Sequence, residues 1–295
     1  MRDGERQRDF PGRLVAWAGQ HDLIRASLVT STRATNPAAV DLLSDYDVIL
    51  YVTDIAPFGD RDHWLPALGT VLVRMSPIEA RVFDGLPGYS AGVIYDDETM
   101  ADFNIVPVEL LRRAVATSRS PAELDHGYQV LLDKDELAVC LPPPTFRAYL
   151  PPKPSAQRYQ DVVEELWWET TYVAKYLWRD ELVAARTVLD GILRREVLQP
   201  MLEWLIEVEH DWSVNPGTLG RSLKRYLRPA VWAQLEQTYA GAAMEDNWRA
   251  LWQIIELFRD AAQTVGLALG YAYPHTLDGR MVSYLRAIQA LPARQ

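Results

Sequence analysis

The sequence predicts an α+β protein, in which a mixed sheet occupies the first half of the chain and an all-α helical bundle the second half. In the first 140 residues, short runs rich in β-branched and aromatic residues are typical of strands; they are VILYV (48–52), TVLVRM (70–75), AGVIY (91–95), ADFNIV (101–106) and LAVCL (137–141). From residue 158 to 265, apolar residues recur instead at helical spacing. Eight of the ten tryptophans follow residue 160, so we expect most of them to fill the helical core.

Helical spacing also occurs within the first half, near residues 11–26, 61–68, 76–84 and 107–116. The stretch AGVIYDDETMADFNIV (91–106) places a short acidic loop between two apolar runs, which predicts a β-hairpin.

The boundary between the two halves is marked by prolines. LPPPTFRAYLPPKP (141–154) holds six prolines in fourteen residues. Because proline fixes φ and lacks an N–H donor, this segment is excluded from the interior of a helix or sheet. We therefore predict a first domain over residues 1–141, a proline-rich linker over 142–157 and a helical domain over 158–295.

Composition narrows the class of protein. The 295 residues carry a net charge of −10, which argues against nucleic acid as a partner because phosphate binding needs a basic surface. The chain has a single cysteine, Cys140, so a disulfide framework is excluded and a reducing compartment is favoured. We find no signal-peptide pattern and no apolar run of membrane-spanning length. We expect a cytoplasmic protein without a membrane partner, and we favour a monomer over an obligate oligomer.

Two aspartates stand at the mouth of the first predicted strand, in SDYDVILYV (44–52). Side chains alternate along a strand, so Asp45 and Asp47 project to the same side. Two carboxylates so close repel each other unless a cation lies between them, and Mg²⁺ is a cation that carboxylates bind. Asp102 lies in the ADFNIV strand, with Asn104 on the same face. If the two strands are neighbours, the three acids converge and can hold one or two metal ions.

A purely structural interpretation is also open at this point. Asp45 then caps the end of a strand, Asp47 is solvated, and Asp102 belongs to a turn. A lone D-x-D pattern favours this structural interpretation. With Asp102 at the head of a second apolar strand, the sequence supports the metal-site interpretation and the structural interpretation equally.

Several longer segments resemble the aminoglycoside 6-adenylyltransferases, the streptomycin-modifying branch of the nucleotidyltransferase superfamily. The resemblance runs in the same order over roughly residues 12–286, and it is carried by SDYDVILYVTDIAPFGDRDHWL, MADFNIVPVELL, YVAKYLWRDEL, MLEWLIEVEHDWSV, SLKRYL and LGYAYPHTLDGRMVSYL. It implies a polymerase-β-like nucleotidyltransferase domain followed by a helical domain, with the active site between them. It also implies ATP as co-substrate, one or two Mg²⁺ ions, and transfer of AMP to a hydroxyl of an aminoglycoside, streptomycin above all.

The resemblance assigns roles to particular residues. Asp45 and Asp47 match the paired metal ligands, and Asp102 matches the third carboxylate, which completes the metal site or serves as general base. Ser31, Thr32 and Arg33 are expected to lie along the triphosphate. One departure concerns this loop, because the superfamily carries Gly-Ser where LVTSTR (28–33) has Ser31 and Thr32. Either the loop keeps its conformation with polar substitutes, or the affinity for nucleotide falls.

Further candidates lie on the predicted helices. Tyr172, Lys175 and Arg179 share one helical face, on which a lysine could neutralise the departing pyrophosphate. The alternative is a solvated face that pairs with Glu169 or Asp180. Additional predicted contacts are Lys224 for the nucleotide, from the cluster Arg221, Lys224 and Arg225, and Trp168, Glu169, Glu203 and Glu207 for the acceptor.

The last two acids form a stripe with Asp211 at i, i+4 and i+8, and an acidic groove would suit guanidinium groups. A solvated face is the alternative for this stripe and for the basic cluster. For the whole protein two other functions stay open: nucleotide transfer to a different acceptor, and a degenerate paralogue that binds nucleotide without catalysis.

Overall fold

The computed structural model describes residues 9–35, 38, 40–59, 64–75 and 79–292. The chain divides into two compact units, residues 1–149 and 150–295, and the division falls inside the proline-rich segment. Each unit has its own hydrophobic core. Among the described residues, no helix is both long and apolar enough to cross a membrane.

The first unit is built on a mixed sheet of seven strands. The strands are β1 Ile24–Thr30, β2 Tyr46–Val52, β3 Val71–Arg74, β4 Glu79–Phe83, β5 Leu86–Tyr95, β6 Met100–Pro107 and β7 Tyr128–Asp133. In space the order is β3-β5-β6-β2-β1-β7, and β4 pairs with the remaining part of the β5 edge. β2 and β6 run parallel, whereas the other pairings are antiparallel.

The central strands β2 and β6 carry apolar side chains on both faces of the sheet, so both faces must be covered by helices to bury them. The helix Phe10–Gln20 packs with the short helical turn Leu65–Leu68 against the face that carries Val48, Leu50 and Phe103. The helix Val108–Thr117 covers the opposite face, where Ile49, Tyr51 and Val106 are buried. The other helical segments of this unit are Ser31–Thr35, Ala56–Gly59, Ala122–Asp125 and Ala138–Cys140.

The predicted hairpin is confirmed, since β5 and β6 pair antiparallel around the turn at residues 96–99. Helical spacing near 107–116 is likewise confirmed by the helix Val108–Thr117. The helix Phe10–Gln20 confirms the first part of the helical spacing near 11–26. Three predictions are wrong: LAVCL (137–141) forms a helical turn instead of a strand, residues 79–83 form strand β4 instead of a helix, and residues 24–26 begin strand β1 instead of continuing a helix. Parts of the stretches 61–68 and 76–84 lie outside the described residues.

The second unit consists of helices. Ser155 caps the first long helix, with its hydroxyl accepting from the N–H of Arg158 at 3.1 Å, and Gly270 ends another at φ 75°. Trp167 and Trp204 are buried in the core, as predicted, whereas Trp168 is 63% exposed. The helices are Ala156–Trp178, Leu182–Arg186, Gln199–Glu209, Leu223–Tyr226, Pro229–Gln237, Met244–Leu269 and His275–Gln289, with a π-helical segment Thr187–Leu198 and a turn Thr218–Gly220.

Candidate active site

Three carboxylates meet at one edge of the sheet in the first unit. Asp47 and Asp102 are register partners on the parallel strands β2 and β6. Asp45 lies two residues before Asp47, immediately ahead of β2, so it projects to the same face. The three side chains offer carboxylate oxygens that all lie within 4.8 Å of one another. The purely structural interpretation is therefore wrong for Asp102, which belongs to a strand and not to a turn.

The three carboxylates lie close enough together for their negative charges to repel each other. Burial, followed by the negative charges of Asp45 and Asp47, raises the pKa of Asp102. Asn104, one step further along the same face of β6, accepts a hydrogen bond from the Ser90 hydroxyl at 2.8 Å. Three converging oxygens with unfavourable mutual repulsion fit a hard divalent cation, because such ions take carboxylate ligands and relieve the repulsion.

The loop that follows β1 keeps the backbone shape that glycine would allow. Ser31 begins the short helix Ser31–Thr35 with φ 60°, in the left-handed region. Glycine adopts this backbone conformation freely, whereas L side chains disfavour it. The two outcomes that the missing glycine left open stay predictions.

Arg33, which was predicted to lie along the triphosphate, contacts the peptide that carries Asp45. Its Nε donates to the carbonyl of Asp45 at 2.8 Å, and one terminal nitrogen donates to the carbonyl of Ser44 at 2.5 Å. The guanidinium also lies 3.7 Å from the centre of the Tyr46 ring. These contacts use the side chain to hold the peptide that carries Asp45, so Arg33 positions the carboxylates.

A fourth structural feature of this edge was missed by sequence reasoning. Asp125 accepts hydrogen bonds from the segment Thr145–Ala148 and fixes it beside the start of β7. In the sequence this segment belongs to the predicted linker. Its one distinctive sequence feature is FRAY (146–149), which stands between two groups of prolines. The segment ends at Tyr149, whose pKa is raised by burial and by the charges of Glu123 and Asp47.

In the second unit, three predicted residues come together in one groove. Trp168, Lys175 and Arg179 line an open cavity between the helices Ala156–Trp178 and His275–Gln289. The Lys175 ammonium lies 4.0 Å from the centre of the Tyr172 ring and 4.9 Å from that of Tyr176. The aromatic rings, and not the suggested acids Glu169 or Asp180, are the partners that the structure gives this lysine.

Two other predicted residues lie outside this groove. Glu169 is half-buried near Glu165 and Glu196, and burial together with these two charges raises its pKa. Lys224 is exposed, with its ammonium 5.3 Å from the centre of the Trp232 ring.

The predicted acidic stripe is not an open groove. Glu207 has an exposed fraction of 0%, and neither of its carboxyl oxygens has a hydrogen-bond partner among the described residues. Burial raises its pKa and that of Glu203, which accepts a hydrogen bond from Gln199 at 2.8 Å. Both acids lie on the helix Gln199–Glu209, and Asp211 follows its end with φ 53°. A solvated face is therefore wrong for Glu207.

A mixed sheet with a D-x-D pair at the mouth of one strand and a third aspartate on the adjacent parallel strand defines a nucleotidyltransferase. Comparison with known proteins makes this more specific. The chain belongs to the streptomycin adenylyltransferase family, whose model matches residues 5–288.

Three curated relatives, each an aminoglycoside 6-adenylyltransferase, resemble the chain over most of its length. That of Campylobacter jejuni is 29% identical over 263 residues, covering 89% of this chain and 88% of the relative. That of Bacillus subtilis is 29% identical over 87% and 88%, and that of Staphylococcus aureus is 26% identical over 88% and 90%. A crystal structure of an aminoglycoside 6-adenyltransferase from Bacillus subtilis aligns over 97% of this chain and 99% of its own, with 24% identity and a TM-score of 0.48.

Proposed function

We propose that this protein transfers AMP from Mg·ATP to a hydroxyl of an aminoglycoside, with streptomycin as the acceptor, and thereby confers resistance to the antibiotic. The observation that carries the proposal is the convergence of three carboxylates within 4.8 Å at one sheet edge, in a chain of this family. In the reaction, the acceptor oxygen bonds to the α-phosphorus of ATP, and the bond from that phosphorus to the bridging oxygen breaks. Pyrophosphate leaves, and the hydroxyl proton passes to solvent water.

The carboxylates would hold the metal. Asp45 and Asp47 are the paired ligands, and we assign Asp102 to the same site because its register with Asp47 needs no substrate to place it there. When bound, Mg²⁺ supplies positive charge to the triphosphate and aligns it for in-line attack. Arg33 keeps the Asp45 peptide in place through the two carbonyls that it binds.

The remaining predicted residues would bind the two substrates. The hydroxyls of Ser31 and Thr32 are proposed donors to phosphate oxygens. Lys175, Arg179 and Lys224 are proposed to neutralise the phosphates. Trp168 is proposed to stack against the acceptor, and Glu169 and Glu203 to attract its cationic groups. Glu207 is left out of this proposal because its side chain is fully buried.

The proposal is tested by measuring pyrophosphate release with ATP, Mg²⁺ and a panel of aminoglycosides. Turnover with streptomycin supports it, and Asp47→Asn should reduce the rate at least about a hundredfold. Glu109→Gln is a matched control, since it removes an exposed carboxylate that pairs with Arg112, at 2.7 Å, on a helix surface. Expression in a sensitive bacterium should raise the inhibitory streptomycin concentration for the wild type and the control variant.

Two other functions are separated by the same panel. Turnover only with acceptors other than streptomycin would favour a nucleotidyltransferase of different specificity. ATP binding without turnover on any acceptor would favour a non-catalytic paralogue, for which the missing loop glycine is the motivating observation.

A further inference from the structure

One buried carboxylate, that of Asp125, binds the segment 145–149 of the first unit through several hydrogen bonds. We call this set of hydrogen bonds the clasp. Asp125, with an exposed fraction of 7%, accepts from the N–H of Thr145 at 2.5 Å and from its hydroxyl at 2.8 Å. It also accepts from the N–H groups of Arg147 at 3.0 Å and Ala148 at 2.9 Å. The N–H of Phe146 donates to the Asp125 carbonyl at 3.0 Å. A carboxylate with four donors holds an otherwise proline-rich chain in one conformation.

The clasp lies at the same sheet edge as the three carboxylates. β1 stands between β2 and β7, with Val29 paired to Val48 and Thr30 paired to Tyr128. The start of β7 is thus two strand spacings, or about 10 Å, from the start of β2. Gly127, at φ 99°, lies so close to the loop after β1 that an added Cβ would come within 2.1 Å of the Thr35 methyl. The clasp, the loop after β1 and the three carboxylates therefore lie at the same edge of the sheet.

Two aromatic rings are presented to solvent by the clasped segment. Phe146 is 55% exposed and stands on a left-handed backbone with φ 60°. Tyr149 is 47% exposed, and its ring meets that of His126 edge-on, with centres 5.5 Å apart. Phe146 and Tyr149 therefore expose aromatic surface on a segment whose backbone is fixed by Asp125, so a ligand at this edge can contact two rings at little cost in ordering.

We propose that Asp125 is a positioning residue and that the segment it clasps forms an aromatic wall, Phe146 and Tyr149, which binds the cationic acceptor beside the three carboxylates. This inference rests on the proposed function and adds acceptor-binding residues that the family resemblance did not assign. The wall is built entirely from the first unit.

Charge favours the acceptor over the nucleotide as the occupant. The negative charges of Glu123 and Asp47 help to raise the pKa of the Tyr149 phenol, after burial. An aromatic face in a negative field attracts amino and guanidinium groups through cation–π interaction, whereas it repels the phosphates of a nucleotide. The ring also offers an apolar surface to the carbon framework of an amino sugar.

Steady-state kinetics with streptomycin and ATP test the wall. Tyr149→Ala should raise KM for streptomycin roughly tenfold, with KM for ATP unchanged within about twofold. Tyr149→Phe should recover most of the affinity for streptomycin that Tyr149→Ala loses, because it keeps the ring. Asp125→Asn should raise KM for streptomycin as Tyr149→Ala does. Asp133→Asn is its matched control, since Asp133 accepts from the N–H groups of Leu137 and Ala138 at the far end of β7.

Hydrogen exchange tests the clasp without activity. The amides of Thr145, Arg147 and Ala148 should be protected in the wild type and exchange faster in Asp125→Asn, and equal exchange would overturn the positioning role. A rise in KM for ATP in place of streptomycin would assign the wall to the nucleotide and overturn the proposal.

If no aminoglycoside is adenylylated, the proposed function fails, and calorimetric titration of streptomycin into the ATP-free protein still decides the wall. A tenfold weaker affinity in Tyr149→Ala supports the contact. Equal affinities, or no binding to either protein, overturn it.

Discussion

Ser31→Gly is expected to stabilise the first unit. Ser31 occupies the left-handed region at φ 60°, which disfavours an L side chain by about 1–2 kcal/mol. Glycine removes this penalty, but it also gives the unfolded chain more freedom, which costs about 0.4–1 kcal/mol. The net gain is about 1 kcal/mol, and in a unit of this size that corresponds to a rise in Tm of about 3 °C.

The same substitution should weaken ATP binding, because it removes the hydroxyl that is proposed to donate to a phosphate oxygen. Loss of one hydrogen bond to a charged group, about 1.5 kcal/mol, predicts a rise in KM for ATP of roughly tenfold. Ser31→Ala removes the same hydroxyl and should raise KM by a similar factor. An unchanged KM would contradict the proposed hydroxyl contact, and a decrease would mean that the Ser31 Cβ obstructs the triphosphate.

Calorimetry provides the stability measurement, with two control variants. Ser31→Ala removes the hydroxyl but keeps the Cβ, so it should gain no stability. Ser118→Gly should gain about as much as Ser31→Gly, because Ser118 ends the helix Val108–Thr117 at φ 50°. If Ser118→Gly raises Tm and Ser31→Gly does not, the argument from backbone strain at Ser31 is refuted.

Three further predictions concern charged groups. Asp102→Asn should lower turnover at least about a hundredfold, yet it should make the metal-free protein more stable at pH 7, because the raised pKa of Asp102 marks a charge that destabilises the fold. Arg259→Met should cost about 3 kcal/mol, because it leaves Asp278 buried without the two bonds of 2.6 and 2.8 Å that the guanidinium donates. Burial alone would raise the pKa of Asp125, but its four hydrogen bonds hold that pKa below the ordinary range. Because a lowered carboxyl pKa stabilises the folded state only while the group is ionised, the stability from the clasp should be complete above about pH 5. It should disappear as the pH falls below about 4.

Each of these has a measurement that checks it. For Asp102→Asn, thermal melts in a chelator should differ from wild type at pH 7 and converge near pH 4, and a less stable variant at pH 7 would contradict the repulsion. For Arg259→Met, urea unfolding should show the loss, and adding Asp278→Leu should recover part of it; an unchanged midpoint in the single variant would show that the pair contributes nothing. For the clasp, the difference in unfolding free energy between wild type and Asp125→Asn should shrink only at acid pH, and a constant difference would contradict the lowered pKa.

The parts of the fold that the sequence predicts are those in which local pattern and tertiary context agree. The apolar run of β2 is buried on both faces, and the hairpin of β5 and β6 is closed by a local turn. In contrast, β4 is mostly exposed and is a strand only because residues 79–83 pair with residues 86–90. LAVCL has strand-like composition, but the Asp133 carboxylate binds the N–H groups of Leu137 and Ala138 and turns the chain there.

The site, too, contains some residues whose placement the sequence predicts and others whose placement it does not. The D-x-D pair and Asp102 are visible because each stands at the start of an apolar strand, and one register brings them together. The contact of Arg33 with the Asp45 peptide could not be predicted, because sequence spacing does not reveal that its guanidinium has a carbonyl partner twelve residues away. The clasp was invisible for a similar reason, since Asp125 and Thr145 are separated by twenty residues and by prolines. The roles given to Lys175, Arg179, Lys224 and the acidic helix residues stay predictions.

The parallel pairing of β2 with β6 also links the stability of the first unit to its surroundings. Asp47 and Asp102 are brought side by side only when these two strands pair, so folding creates the repulsion and a divalent cation removes it. Under the proposed function, a cation that binds only the paired strands would add about 2.7 kcal/mol at a hundredfold excess over its Kd. Purification with a chelating agent would then give a preparation that melts and aggregates earlier than one kept in magnesium. A Tm that shifts with added magnesium would also give a rapid screen for metal and nucleotide ligands before any acceptor is known.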